Sequence, residues 1–178
     1  MVRLAAQLVL VAALGVACQS PAPTGTPVSA AGLRLVAPPG WTARLAAPAD
    51  AGGTTPLGWA TNQVPVATCA GACRQPIAQL EPGGMVVWIR RLSCLPNCRL
   101  PDGGRTLIGN REAVRQDVAA QVCGTLGDGP GNPVAAEAIV VSVTPQRQDV
   151  FLVCSRAGAD AARAGLDRLL ASASWTIP

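Results

Sequence analysis

Residues 138–153 read A-I-V-V-S-V-T-P-Q-R-Q-D-V-F-L-V, and residues 160–173 read D-A-A-R-A-G-L-D-R-L-L-A-S-A. The first stretch holds two apolar runs, Ala138 to Val143 and Val150 to Val153, around a polar segment from Thr144 to Asp149. Short β-branched runs separated by a polar turn predict a β-hairpin. The second stretch changes period. Ala162, Leu166, Leu169, Leu170 and Ala173 fall three or four residues apart, one apolar stripe on a helix from about Ala161 to Ala173. Asp160 stands where a side-chain oxygen can cap its first turn. Hairpin and helix together predict an α+β architecture: a mostly antiparallel sheet with a C-terminal helix packed on it.

The rest of the chain supplies further strands. Met85 to Ile89 is a continuous apolar run, expected to be buried on both faces. Arg105–Ile108 and Arg111–Val118 flank Gly109-Asn110, a second hairpin signal. Leu33 to Val36 alternates as a short strand that Pro38-Pro39-Gly40-Trp41 ends. Residues 42–56 read as irregular, and Leu57 to Val66 as holding another strand. Pro76 to Leu80 reads as one helical turn, and Gly127 to Pro133 as a loop. Trp175 to Ile177 closes the chain.

The N-terminus carries an address. Met1-Val2-Arg3 is a short positive start, and Leu4 to Val16 is apolar apart from Gln7. That run is too short for a spanning helix of about 20 residues and fits a signal peptide. It ends Leu14-Gly15-Val16-Ala17-Cys18, small residues before a Cys that would become the lipidated first residue. The lipobox pattern prefers Leu three places before the Cys; here Gly15 stands there and Leu14 one place earlier. Residues 19–31, with three Pro and no charge, read as an extended tether. The expected organisation is a signal peptide over 1–17, a lipidated Cys and tether over 18–31, and a single domain over 32–178. Lipid on Cys18 would hold the exported chain to the outer face of a membrane.

Composition narrows the function. Of 178 residues, 161 follow the signal, enough for one domain with a core. All fourteen basic residues are Arg; His, Lys and Tyr are absent, as from a GC-rich genome. The net charge of +4 is weak and scattered, so nucleic acid is not an expected partner. Without His or Lys, a Ser or Thr nucleophile lacks its usual base. The ten acids stand singly and read as solvated loop residues, not a facing carboxyl pair. Gly127 to Gly131 lacks the Lys-Ser/Thr of a phosphate loop. Arg90-Arg91 reads as a strand end at the surface, and Trp41, Trp59, Trp88 and Trp175 as core or core-edge volume.

In its order of lipobox, Pro-rich tether, short strand ending Pro-Pro-Gly-Trp, central hairpins and Ala/Leu helix before a final short strand, the chain resembles the small lipoproteins of high-GC Gram-positive bacteria. Some of these have a PsbP-like fold. The resemblance implies a fold and a cell-envelope location, and carries over no catalytic residue or cofactor.

Six cysteines follow Cys18. Thr68-Cys69-x3-Cys73-Arg74-Gln75-Pro76 and Ser93-Cys94-x3-Cys98-Arg99-Leu100-Pro101 repeat one pattern 25 residues apart. Three readings compete. Structural disulfides suit an exported chain with an even count. A zinc site from Cys69, Cys73, Cys94 and Cys98 has an allowed spacing. It would need the strand ends before the two pairs to meet, and the 11 residues from Arg74 to Gly84 are slightly short for a parallel crossover. A thiol-exchange site is the third reading; Arg74 and Arg99 could help hold a thiolate. If the C-x3-C pairs close locally or with one another, Cys123 and Cys154 are left to pair. That bridge requires Cys123 to lie past its strand's end, since the strand 138–143 would otherwise stand between. The leading functional reading is a non-enzymatic binding or envelope-accessory domain. The alternative is an envelope thiol-redox or zinc-binding protein working through the C-x3-C pairs.

Overall fold

The computed structural model describes residues 24–46, 54–66, 76–127 and 134–177. It is an α+β fold dominated by antiparallel sheet. Ten strands occur among these residues: β1 Thr26–Ala30, β2 Leu33–Ala37, β3 Thr42–Leu45, β4 Thr54–Thr61, β5 Met85–Ser93, β6 Gly104–Ile108, β7 Arg111–Val118, β8 Val134–Thr144, β9 Arg147–Arg156 and β10 Ser174–Trp175. Seven form one sheet in the order β3-β4-β5-β9-β8-β7-β6, and β1-β2-β10 form a small second sheet. The helix α1 spans Asp160–Ala171.

The two hairpins organise the large sheet. β8 and β9 are longer than their apolar runs and turn through only Pro145-Gln146. β6 and β7 turn through Gly109 at φ 50° and Asn110 at φ 66°, the left-handed pair that a two-residue hairpin of type I′ demands. Gly109 has a second reason: a Cβ there would stand 2.0 Å from the Ala173 carbonyl oxygen. The turn thus sits directly against the chain leaving α1.

Both faces of the large sheet are covered. On one, Met85, Val87, Ile89, Phe151 and Val153 meet Leu33 and Leu35 of β2 and the stripe Ala162, Leu166, Leu169, Leu170 and Ala173. On the other, Val86, Trp88, Leu152 and Cys154 lie under Ile77, Leu80, Cys123 and Leu126. Alternation along β5 and β9 feeds the two cores in turn, which is why Met85 to Ile89 is apolar without interruption. Trp59 and Trp88 are buried opposite one another across β4 and β5, and Trp41 and Trp175 pack at the edge of the helix-side core.

Several expectations need correction. Thr26–Ala30, counted with the tether, pairs along its length with β2; as an edge strand it tolerates Pro27. The segment read as irregular over 42–56 contains β3 and the start of β4. Pro76 to Leu80 is not helical: it is a series of bends that buries Ile77 and Leu80. Asp160 is the first helical residue, and Ala159 holds the cap position without any side-chain bond. The final short strand after the helix, by contrast, is as expected: Trp175 lies in β10 and pairs with Leu33.

Candidate functional site

β5 ends at Ser93 and runs into Cys94-Leu95-Pro96-Asn97-Cys98. A disulfide closes these five residues, with Cα atoms 5.1 Å apart. The loop is also held from outside. The Cys94 N–H donates to the Gln146 carbonyl at 3.0 Å and the Cys98 N–H to the Pro145 carbonyl at 2.7 Å. The Gln146 side-chain amide donates to Asn97 Oδ1 at 3.2 Å. The β8–β9 turn is therefore a platform for the loop. Both cysteines are half-buried; Leu95 is 94% exposed, and Pro96 and Asn97 are exposed beside it.

The second disulfide differs in every respect. Cys123 and Cys154 join across 31 residues, Cα atoms 6.0 Å apart, and they are 3% and 0% exposed. β8 does stand between β7 and β9 in the sheet. The bridge passes above its face instead. Cys154 pairs with Ala136, a side chain small enough to let the 3-10 segment Ala120–Gly127 lie over the strand. Cys123 is in that segment, past the end of β7, and the chain turns after it through Gly124 at φ 57°. Cys18, Cys69 and Cys73 lie outside the described residues.

Of the four cysteines of the zinc reading, only Cys94 and Cys98 are among the described residues. β4 and β5 are antiparallel, so β4 ends beside Val86 while β5 ends beside Arg147, at opposite ends of the sheet. Cys94 and Cys98 are bonded to one another, and no group of three or more His, Cys, Asp or Glu gathers among the described residues.

Sequence reasoning missed a buried polar cluster. Asp149, expected in a turn as a solvated acid, is in β9 and wholly buried. Arg91, expected at the surface, grips it bidentately, Nε to Oδ1 at 2.8 Å and Nη2 to Oδ2 at 3.0 Å. Arg91 Nη1 donates to the Ala31 carbonyl and Trp175 Nε1 to Asp149 Oδ2, each at 2.8 Å. The cluster thereby ties β5 and β9 to the β1–β2 turn and to β10. The available signal was alternation: Asp149 shares its face with Phe151 and Val153. Next to it, Nε and Nη2 of Arg147 are buried without a hydrogen-bond partner among the described residues. Burial lowers the pKa of Arg147, the Arg91 charge lowers it further, Asp149 partly offsets this, and Arg111 adds to the lowering.

At the other end of the sheet, Glu137 binds Arg163 and faces Arg115, which reaches Asp167 at 3.1 Å, so α1 is pinned to β7 and β8. A cleft of about 320 Å³ opens beside the start of α1, with Ser155, Asp160 and Arg163 in its lining. Ser155 has no imidazole or amine to activate it, because the chain contains neither His nor Lys.

The chain matches no protein-family model, and no similar curated protein or solved structure was found. What is shown is an antiparallel α+β domain that carries, among the described residues, one buried disulfide and one half-buried disulfide in a surface loop.

Proposed function

We propose that this chain is an exported thiol–disulfide protein whose working centre is Cys94–Cys98, tethered to a membrane through lipid on Cys18. The observation that carries the reading is the contrast between the two bridges. Cys123–Cys154 closes a long loop inside a core, where a disulfide contributes most and exchanges least. Cys94–Cys98 closes a loop that its own backbone hydrogen bonds already hold, so opening it need not disturb the fold. The chain-entropy gain from so short a loop is only about 2 kcal/mol.

Exchange at this site balances without a cofactor. A partner thiolate attacks one sulfur of the pair, forming a mixed disulfide and releasing the other as a thiolate. The partner's second thiol then displaces the first sulfur. Two electrons and two protons have moved, leaving Cys94 and Cys98 as thiols and the partner as a disulfide. Arg99, exposed directly after Cys98, adds positive charge where a thiolate approaches or leaves. The zinc version of the reading would require Cys94 and Cys98 to be free.

The test is graded reduction of the native protein, alkylation and peptide mapping. Cys94 and Cys98 should be labelled first, with the far-ultraviolet circular dichroism unchanged, while Cys123 and Cys154 stay bridged. If Cys94–Cys98 opens only when Cys123–Cys154 opens and the chain unfolds, the bridge is structural and the proposal fails.

A further inference from the structure

Resting on the thiol-exchange reading, we infer that the partner of the Cys94–Cys98 loop is a protein dithiol that seats Leu95 in an apolar recess. Single exposed apolar side chains are ordinary on protein surfaces. Leu95 differs in two ways. It follows Cys94, one of the two cysteines of the exchanging bridge, and the backbone on both sides of it is fixed. The bonds from Cys94 and Cys98 to the Gln146 and Pro145 carbonyls hold the ends of the loop, the disulfide closes it, and Asn97 is held by the Gln146 amide.

Such a loop presents a leucine at 94% exposure with little freedom left to lose on docking. A small thiol gains nothing from it. A protein that covers Leu95 while bringing a thiolate to the adjacent disulfide gains from the burial and from positioning the attack. The occupant is a dithiol protein: once docked on Leu95, its own second thiol resolves the mixed disulfide without a further molecule having to reach the covered site. Its two thiols become a disulfide as Cys94 and Cys98 become thiols, so no further oxidant or reductant enters.

The experiment compares two reductants on the oxidised full chain: a reduced thioredoxin-type protein with a C-x-x-C site, and dithiothreitol. Rates are followed by alkylation of Cys94 and Cys98. Leu95→Ser should slow the protein dithiol about tenfold, as expected for losing most of one buried leucine, and leave the dithiothreitol rate unchanged. Leu95→Met should restore most of the protein rate. Equal rates for wild type and Leu95→Ser with the protein dithiol overturn the inference, as does equal slowing with both reductants. Failure of dithiothreitol to open the bridge in the wild-type fold would instead remove the thiol-exchange reading itself.

Discussion

Asp149→Ala should be among the most damaging single substitutions in this chain. The carboxylate is wholly buried and accepts three hydrogen bonds, two from Arg91 and one from Trp175 Nε1. Alanine removes them all and leaves the Arg91 side chain, 12% exposed, with the Ala31 carbonyl as its one remaining hydrogen-bond partner among the described residues. Breaking a buried ion pair from one side costs about 3–5 kcal/mol. Domains are stable by about 5–15 kcal/mol, so this is at least about a fifth of the total. Arg91→Met should cost a similar amount, because it leaves the carboxylate uncompensated. The double variant Arg91→Met/Asp149→Ala should lose clearly less than the two single losses together, by about 2 kcal/mol or more, since no orphaned charge remains. Urea unfolding followed by circular dichroism measures each stability, with constant slope as the check that the states compared are the same. Losses that simply add, or an Asp149→Ala loss under about 1 kcal/mol, would refute the reasoning.

Other outcomes follow from the same geometry. Cys123→Ser and Cys154→Ser should each lower Tm by roughly 10 °C in calorimetry, from about 3–4 kcal/mol of loop closure, with little added in the double variant. Gly165→Ala, which on an exposed helix would stabilise, should lower Tm here because its Cβ would stand 2.3 Å from Trp41 Nε1. The same change made with Trp41→Ala should be stabilising relative to Trp41→Ala alone. Arg147→Met should raise the unfolding free energy by roughly 1 kcal/mol, because two buried donors without acceptors are removed; a loss of stability in urea would contradict this. Cys18→Ser should release the protein from the membrane fraction and end labelling by a fatty-acid probe; unchanged membrane retention would oppose the lipidation reading.

What could be read from the sequence was whatever repeats locally. The stripe from Ala162 to Ala173, the Gly109-Asn110 turn and the apolar run Met85 to Ile89 each follow from a period or a backbone preference. They placed the helix, one hairpin and a central strand correctly. The misreadings have two causes. Thr26–Ala30 pairs with its immediate neighbour β2, but its own Pro and Ser content resembles a linker, so composition hid a hairpin. Asp149 becomes a buried acid only because Arg91, 58 residues away, meets it across β5 and β9. The cysteines show the same division. The repeated C-x3-C pattern was visible, but the platform that holds Cys94–Cys98 is Pro145-Gln146, about 50 residues further along the chain, and the core that buries Cys123–Cys154 also draws on Ile77, Leu80, Val86 and Trp88.

The most direct test of the central claim is the redox state of the two bridges inside the producing cell. Acid quenching freezes exchange, and alkylation before and after reduction then gives the thiol fraction at each cysteine. A measurable dithiol fraction is expected at Cys94 and Cys98, rising when the cells are challenged with a reductant and falling when it is removed, while Cys123 and Cys154 stay oxidised throughout. Cys94 and Cys98 as fully oxidised and as unresponsive as Cys123 and Cys154 under the same challenge would contradict it.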